Sequence, residues 1–336
     1  MFRGMNAAVI TEVKKPVVFQ PVPDPAAAPG RAIVRLKAAA LNHRDLWIQL
    51  GLYAGIKLPV VPGSDGAGVV ESVGDPADQP WIGREVIINP SLDWGGDPRA
   101  QGPQFRILGL PDSGTFAERI SIPAANLAPK PAHLSWQQAA ALPLAGLTAW
   151  RALFTRAGLQ PGERVLVTGV GGGAALFALQ FAAAAGAEVW VTSGSAEKLA
   201  RAQALGAAGG ANYRDADWPA QLQKKAGGLF DVIVDSAGGE GFGRLIELTR
   251  PGGRLAFFGA TAGNPPGLDV RKCFFRQINL LGTTMGSPAD FHGMTQFVGQ
   301  HRLVPVVDRV FPLAETEAAF RHMETAAQFG KIGLAL

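Results

Sequence analysis

The residues best suited to bind a ligand form a glycine-rich turn between an apolar run and a helix, where a phosphate group could be held. Residues 165–167 are a short β-branched run typical of a buried strand, four glycines follow, and a small-residue helix continues from Ala174. A helix N-terminus attracts anions through its dipole and unpaired N–H groups, and glycines let a phosphate approach the backbone. The spacing Gly169-x-Gly171-x-x-Ala174 fits the dinucleotide fingerprint GxGxxG/A, with a tight turn that binds no ligand as the alternative. The predicted phosphate-binding residues are Gly169, Gly171, Gly172, Gly173 and Ala174.

The end of the next strand carries information on the type of dinucleotide. A site that prefers NAD usually holds an acidic residue there, which hydrogen-bonds the ribose 2′-OH. This chain has Val191-Thr192-Ser193 without a carboxylate, and Lys198 follows. A hydroxyl and an ammonium suit a 2′-phosphate, and the missing carboxylate removes a charge that would repel it. We therefore predict NADP(H) as cofactor, with Ser193 and Lys198 as contacts; a solvated helix position is the alternative for Lys198.

These residues belong to a run of alternating strands and helices. Strands are predicted at 165–167, 188–192, 231–235, 254–258 and 278–282, and helices at 174–185, 196–205 and 242–249. Alternation at this spacing indicates a parallel sheet covered by helices on both faces. The predicted fold class is α/β, with a doubly wound parallel sheet of Rossmann type over residues 143–285.

The rest of the chain has a different pattern. Short strands separated by proline- and glycine-rich turns are predicted at 7–10, 31–36, 66–70 and 85–88, which indicates a mostly β domain. Residues 91–112 show no periodicity and are predicted to be a long surface loop. The tail is predicted to hold helices at 291–300 and 313–327 and strands at 304–307 and 330–334. We expect residues 1–142, completed by 286–336, to form one domain around the inserted segment 143–285.

Composition narrows the class of protein. The 336 residues suit two domains, and 47% hydrophobic against 17% charged residues is too apolar for a disordered chain. The single Cys273 excludes a disulfide framework and a cysteine-based structural zinc site. A net charge of +4 argues against nucleic acid as partner. The charge-free segment 165–187 is long enough for a membrane span, but its glycines break it, so we expect no membrane partner. No apolar segment follows the charge in residues 1–6, so no secretory signal is predicted and we expect a cytoplasmic protein.

Several ordered motifs resemble those of one enzyme family over essentially the whole chain. The family is the medium-chain dehydrogenase/reductase superfamily, and the branch is the zinc-independent, quinone-oxidoreductase-like one. The motifs are Ala40-Leu41-Asn42-His43-Arg44-Asp45, Leu58-Pro59-Val60-Val61-Pro62-Gly63-Ser64-Asp65-Gly66-Ala67-Gly68, Gly114-Thr115-Phe116-Ala117-Glu118, Ala139-Ala140-Ala141-Leu142-Pro143-Leu144-Ala145-Gly146-Leu147-Thr148-Ala149, the glycine turn, Asp235-Ser236-Ala237-Gly238-Gly239 and Gly330-Lys331.

The resemblance implies a GroES-like β domain, formed by both chain ends, together with a Rossmann domain. It also implies a homodimer in which residues 279–282 form the paired edge strand. Tyr213 looks like the adenine-side tyrosine of NADPH-using quinone reductases, with a half-buried strand-end tyrosine as the alternative. Besides the glycine turn, the implied NADPH contacts are Asn42, Thr148, Ser193, Lys198, Tyr213, Ser236, Phe258, Gly259, Met285 and Lys331.

The chain departs from zinc-dependent relatives at the metal ligands. Those relatives place Cys where this chain has Asn42, His where it has Ser64, and a third ligand near Leu144. A catalytic zinc needs three donors of the His, Cys or carboxylate kind, which these residues cannot supply. The five histidines are scattered without paired ligand spacing. We therefore predict that no metal is bound.

Without a Lewis acid, oxidation of a simple alcohol is disfavoured. A hydride can instead add to a quinone or to the β-carbon of an α,β-unsaturated carbonyl, where the negative charge is delocalised as it forms. The candidate catalytic residues are Tyr53, as a hydrogen-bond donor or a wall of the pocket, and Asp45, which the resemblance assigns to positioning its neighbours. Trp47 is a further wall candidate. Trp94 and Arg106 lie on the long loop and could shape access to the acceptor, with packing at the surface as the favoured alternative.

The sequence thus predicts an NADPH-dependent oxidoreductase that reduces quinones or conjugated carbonyls. Two alternatives stay open: an enoyl-thioester reductase, and a non-catalytic NADPH-binding protein of the crystallin-like or regulatory kind. The first alternative calls for a basic groove that accepts a phosphopantetheine arm, and no such groove is identifiable in the sequence.

Overall fold

A computed structural model describes residues 4–336, and internal contacts divide them into two units. The first unit comprises the described residues up to Ala145 together with Gly286–Leu336, and the second comprises Gly146–Met285. The sequence predicts the first boundary after residue 142, whereas the contacts place it after Ala145.

The strands are β1 (Gly4–Val9), β2 (Val18–Pro23), β3 (Arg31–Ala40), β4 (Asp65–Val73), β5 (Glu85–Ile88), β6 (Ser91–Leu92), β7 (Arg106–Ile107), β8 (Arg119–Pro123), β9 (Leu127–Pro129), β10 (Arg164–Val167), β11 (Glu188–Ser193), β12 (Gly209–Asn212), β13 (Phe230–Asp235), β14 (Thr249–Phe257), β15 (Asn279–Gly282), β16 (Val307–Pro312) and β17 (Lys331–Ala335). The α-helices are α1 (His43–Gln49), α2 (Trp136–Ala141), α3 (Pro143–Trp150), α4 (Gly173–Ala184), α5 (Ala196–Ala204), α6 (Trp218–Ala226), α7 (Phe242–Leu248), α8 (Val270–Phe275), α9 (Pro288–His301) and α10 (Thr316–Glu324). Short 3₁₀ turns span Pro76–Trp81, Ala124–Asn126 and Leu313–Glu315, and a π-helical segment spans Arg151–Arg156.

The first unit is built around a mixed sheet in which β3 is the central strand. The strand order is β16-β17-β3-β4-β5-β9, and β8 also pairs with β3. Strand β17 comes from the C-terminal end of the chain and pairs antiparallel with β3, with Leu334 opposite Ala39. Two clusters of buried aliphatic and aromatic side chains fill this unit. The predicted mostly β domain, completed by the tail, is thus the architecture observed.

The second unit is a parallel sheet with the strand order β12-β11-β10-β13-β14-β15. All five pairings are parallel, and the order of the strands reverses between β10 and β13. This is the doubly wound arrangement, in which ligands bind beyond the carboxyl ends of the strands at the reversal point. The glycine turn follows β10 and therefore lies at that point. The predicted α/β fold class is confirmed.

Strand β12 and helix α6 are absent from the sequence prediction. Strand β12 has the sequence Gly-Gly-Ala-Asn, which lacks the β-branched residues typical of strands. It pairs with β11 in register, with Trp190 opposite Gly209. A Cβ at Gly209 would lie 2.5 Å from the Trp190 ring, so the absence of a side chain makes room for the indole. Tertiary packing rather than local propensity therefore forms this strand.

The segment 91–112 is more ordered than the predicted surface loop. Strands β6 and β7 pair within it, and the buried Trp94 packs edge-on against Phe105 with 5.3 Å between ring centroids. Arg106 forms ion pairs with Asp93 and Asp112 at 2.8 and 2.7 Å. The ring of Trp94 lies in the interior of this segment rather than on its surface, and an effect of Trp94 on access to the acceptor stays a prediction.

Strand β15 forms one edge of the sheet of the second unit, as predicted for residues 279–282. Helix α8, which precedes it, exposes 68% of Phe274 and 84% of Phe275. The homodimer stays a prediction, and the molar mass in solution would test it. None of the helices within residues 4–336 is long and apolar enough to cross a membrane.

Candidate active site

The glycine turn after β10 is shaped by backbone angles that other residues rarely adopt. Gly169 and Gly171 have φ angles of +64° and +137°. The Gly169 N–H donates to Thr192 Oγ1 at 3.1 Å, which ties the turn to the end of β11. A Cβ at Gly171 would lie 2.9 Å from Cδ of Lys198. The fold thus brings the turn, the N-terminus of α4 and Lys198 together, and a side chain at position 171 would fill the space between them.

Polar groups from three segments surround the end of β11. The buried Ser193 accepts a hydrogen bond from the Tyr213 N–H through its carbonyl at 3.2 Å. A Cβ at Gly194 would lie 2.8 Å from Tyr213 Oη and 2.9 Å from Arg214 Nε. Arg214 is absent from the sequence prediction, although its position directly after Tyr213 could have indicated it. Hydroxyl, phenol and guanidinium groups at the end of β11, together with Lys198 against the glycine turn, match the chemistry of a phosphate. The residues present therefore fit the 2′-phosphate of NADP(H).

Other predicted nucleotide contacts are spread over the second unit. Ser236 follows β13, and Phe258 and Gly259 follow β14. A Cβ at Gly259 would lie 2.6 Å from the Ser236 carbonyl oxygen, so these chain segments touch. Thr148 lies within α3, and the buried Met285 ends the unit with a φ angle of +44°. The structure thus brings Ser236, Phe258 and Gly259 together at the carboxyl ends of β13 and β14. The contact of these residues with a nucleotide stays a prediction, as does that of Thr148 and Met285.

Asn42, Asp65 and Lys331 form a buried hydrogen-bonded cluster in the first unit. Asp65 Oδ2 accepts from Asn42 Nδ2 and from Lys331 Nζ, each at 2.9 Å, and Lys331 Nζ also donates to Asn42 Oδ1 at 2.6 Å. Asp65 Oδ1 accepts the Leu144 N–H at 2.7 Å. Asn42 and Lys331, both predicted nucleotide contacts, therefore direct these polar atoms at Asp65 and at each other.

Asp45, a catalytic candidate that the resemblance assigns to positioning its neighbours, bonds backbone groups of two chain segments. Its Oδ2 accepts the Asn42 N–H at 2.8 Å, and its Oδ1 accepts the Gly63 N–H at 3.3 Å. The carboxyl group is completely buried and spans the start of α1 and the loop before β4. Burial raises the pKa of Asp45 to about 6, although the Arg44 guanidinium, the Asn42 hydrogen bond and Lys331 act in the opposite direction.

This raised pKa predicts how the Asp45→Asn variant responds to pH. A carboxyl whose pKa is higher in the folded state stabilises that state below its unfolded pKa of 3.8, and this stabilisation is lost as the pH rises through about 6. The free energy of unfolding of the variant relative to wild type should therefore rise between pH 4 and 7, by about 3 kcal/mol at most. Urea titrations of both proteins across this range measure the difference. A difference that is flat or falls with pH would contradict the expectation.

Arg44 and Tyr53 lie near the cluster of Asn42, Asp65 and Lys331, because Arg44 bonds Ser64, the residue before Asp65, and stacks on Tyr53. The Arg44 side chain belongs to α1, and the residue is 6% exposed. Its Nη1 donates to Ser64 Oγ and to the Leu108 carbonyl, both at 2.8 Å, and the guanidinium carbon lies 5.1 Å from the centroid of the Tyr53 ring. Tyr53, the predicted hydrogen-bond donor, thus stacks on a cation. Arg44 itself was missed, because nothing local marks it as different from an exposed helix arginine.

The residues at the positions of the zinc ligands do not fit a zinc ion. The Asn42 amide is bonded to Asp65 and Lys331. Ser64 Oγ donates to the Leu108 carbonyl at 2.7 Å while it accepts from Arg44, and the side chain of Leu144 has no atom that could bind a metal. Two cationic side chains therefore contact these positions, where they would repel a divalent ion. Throughout the part of the chain that the structure describes, no group of three or more His, Cys, Asp or Glu residues is arranged to hold a metal.

Comparisons with known proteins agree with this architecture. Residues 28–132 match the model of the alcohol dehydrogenase GroES-like domain, and residues 169–300 match that of the zinc-binding dehydrogenase. A zinc-type alcohol dehydrogenase-like protein of Leptosphaeria maculans is 35% identical over an alignment of 346 positions, which spans 96% of this chain and 95% of the relative.

Two solved structures extend the comparison. A crystal structure of an NAD-dependent alcohol dehydrogenase has a TM-score of 0.92 and 39% identity, covering 99% of this chain and 100% of that one. The 2-octenoyl-CoA carboxylase reductase CinF, solved in complex with NADP and 2-octenoyl-CoA, has a TM-score of 0.89 and 25% identity, covering 99% and 87%. With its GroES-like and Rossmann-type domains, the chain therefore belongs to the medium-chain dehydrogenase/reductase superfamily, whose members bind NAD(P), and is an oxidoreductase of that family.

Proposed function

We propose that this oxidoreductase is a metal-independent reductase that uses NADPH to reduce quinones or α,β-unsaturated carbonyl compounds. One observation carries the proposal: Lys331 and Arg44 contact the positions where zinc-dependent relatives hold their metal. Oxidation of an alcohol requires a group that stabilises the alkoxide, which zinc supplies in those relatives. An acceptor that is already electrophilic does not require an alkoxide, because the negative charge is delocalised as it forms.

The proposed cofactor is NADP(H), which supplies or accepts the hydride when it is bound. Ser193, Lys198, Tyr213 and Arg214 would hold the 2′-phosphate, and the glycine turn would hold the diphosphate. The complex of CinF with NADP supports this choice, whereas the solved relative at 39% identity is an NAD-dependent alcohol dehydrogenase. The preference for NADPH over NADH in this chain therefore rests on its own residues at the end of β11.

A second acceptor class is supported by one comparison. CinF was solved with 2-octenoyl-CoA, an α,β-unsaturated thioester, and reduction of such a thioester places the hydride on the same kind of β-carbon. An enoyl-thioester reductase is therefore the second candidate. The third candidate, a non-catalytic NADPH-binding protein, would share the cofactor site and differ only in the absence of turnover.

The experiment that separates these candidates is the oxidation of NADPH by the chelator-treated protein. Acceptors of three classes are offered: 9,10-phenanthrenequinone, 2-alkenals and 2-enoyl-CoA thioesters. We expect turnover with the quinone or the alkenal, unchanged by the chelator. Activity confined to the thioester would favour the second candidate, and tight NADPH binding without any turnover would favour the third. Alcohol oxidation that zinc restores would contradict the metal-independent proposal.

A further inference from the structure

Asp235 is a buried carboxylate at the carboxyl end of β13 that the proposed reaction does not use. The residue is 1% exposed, and each of its carboxylate oxygens accepts a hydrogen bond. Oδ1 accepts from Thr168 Oγ1 at 2.5 Å, and Oδ2 accepts the Gly238 N–H at 2.8 Å. Both donors are neutral, so these bonds add no ion pair to offset the burial of a charged group. What the carboxylate provides is a link between two turns of the chain.

Thr168 connects Asp235 to the glycine turn. It follows the last residue of β10 and directly precedes Gly169. Its N–H donates to the Val234 carbonyl at 3.1 Å, which extends the pairing of β10 with β13, and its hydroxyl reaches Asp235. On the β11 side, the Gly169 N–H donates to Thr192 Oγ1 at 3.1 Å. The entry to the glycine turn is therefore held between β11 and β13 by two threonine hydroxyls, and one of them depends on Asp235.

The second oxygen of Asp235 fixes the turn that follows β13. Gly238 has a φ angle of +64°, and its N–H donates to Asp235 Oδ2. Ser236, a predicted nucleotide contact, lies within this turn. One carboxylate thus bonds the residue before the glycine turn and the backbone of the turn after β13. Strands β10 and β13 are the pair at which the strand order reverses, and ligands bind beyond the carboxyl ends of such a pair.

We propose that Asp235 is a positioning residue for the diphosphate of the dinucleotide; this inference rests on the cofactor of the proposed function. Through Thr168 the carboxylate holds the glycine turn in the conformation that presents the N-terminus of α4 to a phosphate, and through Gly238 it holds the neighbouring turn. The carboxylate itself does not contact the cofactor. An amide cannot replace it, because an amide has a single acceptor oxygen and its nitrogen would face the second donor. Turns that are ordered before the cofactor arrives reduce the entropic cost of binding.

The sign of the effect on binding separates positioning from charge. Removing a negative charge close to the diphosphate would, on electrostatic grounds alone, tighten the binding of an anionic cofactor. Loss of a positioning hydrogen bond weakens that binding instead. We expect Asp235→Asn to raise the Kd for NADPH about tenfold, as for one hydrogen-bonding group left without its partner. Adenosine 2′-phosphate has no diphosphate, so its Kd should change by about twofold or less.

Variants of Thr168 test the link to the glycine turn. Thr168→Val removes the hydroxyl with little change in shape and should weaken NADPH binding about as much as D235N does. Thr168→Ser keeps the hydroxyl and should retain most of the wild-type affinity. The double variant D235N/T168V should bind NADPH only slightly more weakly than D235N, because both substitutions break the same bond.

The matched control is Asp231→Asn, at the opposite end of β13. Asp231 Oδ2 also accepts a backbone N–H at an end of β10, that of Arg164, at 2.7 Å, and its Oδ1 pairs with Arg250 Nε at 2.6 Å. Because D231N loses an ion pair, it should lower the melting temperature at least as much as D235N while the Kd for NADPH stays unchanged. A similar rise in Kd for both variants would mean that Asp235 acts only through the stability of the sheet.

Isothermal titration calorimetry of each variant measures the Kd values, and the melting temperature shows that the protein is folded. Unchanged or tighter binding of NADPH by D235N, or equal losses for NADPH and adenosine 2′-phosphate, would overturn the role of Asp235. Losses in D235N and T168V that add fully in the double variant would overturn the link through Thr168. Since the test measures binding, wild-type protein that binds NADPH but reduces no acceptor would refute the proposed reductase and not the role of Asp235.

Discussion

Replacing Lys331 with methionine is expected to lower the free energy of unfolding of the first unit by about 3–5 kcal/mol. Lys331 and Asp65 are both buried, and their ion pair is completed by the Asn42 amide. In the variant the Asp65 carboxylate would keep only neutral donors around it. A buried charge that has lost its partner is one of the most destabilising defects that a single substitution can produce.

Hydrogen exchange of the amides in β3 and β17 measures this loss in the first unit, separately from the second. Lys130→Met is the matched control, because Lys130 pairs with Glu85 at 3.2 Å and Glu85 is more than half exposed. That variant leaves no buried carboxylate behind and should cost about 1 kcal/mol or less. The double variant K331M/D65N should recover part of the stability, since it also removes the unpaired charge. A loss in K331M no larger than that in K130M would show that the buried pair contributes little.

Replacing Ser193 with aspartate is expected to raise the Kd for NADPH at least 100-fold and to leave the Kd for NADH nearly unchanged. The side chain of Ser193 lies buried at the end of β11, among the groups proposed to hold the 2′-phosphate. Two negative charges at about 4 Å repel each other by roughly 4 kcal/mol at an effective dielectric constant of 20. NADH carries a hydroxyl in place of that phosphate, and an aspartate can accept a hydrogen bond from it.

The control for this experiment is Ser195→Asp, which adds the same charge two residues further along. Ser195 is the N-cap of α5, where its side chain accepts the Lys198 N–H at 3.3 Å, and aspartate is equally suited to that position. Fluorescence titration with both cofactors should show a much smaller change for S195D. Equal Kd values for NADPH and NADH in S193D, after similar changes for both, would refute the assignment of the 2′-phosphate site.

Much of the second unit could be predicted from the sequence because each of these strands and turns is determined by residues that are close together in the chain. Residues 231–235 and 188–192 are apolar runs bounded by turns, and the observed strands differ from them by one residue at an end. The glycine turn, Ser193 and Lys198 could be found for the same reason, since their relation to a strand end is a matter of spacing. Strand β12 could not, because its glycines form a strand only against the Trp190 ring.

In the first unit, the sequence could predict only some of the residues at and around the positions where zinc-dependent relatives hold their metal. Asn42 and Lys331 were found through family motifs, but their bond to each other joins residues 289 positions apart. Arg44 is an ordinary helix arginine in the sequence, and only the folded chain places its Nη1 on Ser64 and on the Leu108 carbonyl. Whether an arginine is buried, and which groups it bonds, is decided by the tertiary structure and cannot be read from the neighbouring residues in the sequence.

The pairing of β17 with β3 has a consequence for the order in which the protein is made. The ribosome releases residues 331–335 after the whole of the second unit, whereas it releases β3 before that unit. The second unit is complete in sequence before those residues appear and can fold first, as domains generally do during synthesis. Asp65 must wait for Lys331 until the second unit has been synthesised. A chain that stops just before residue 331 would therefore yield a folded dinucleotide domain joined to a first unit with a buried, unpaired carboxylate, which quality-control proteases would remove.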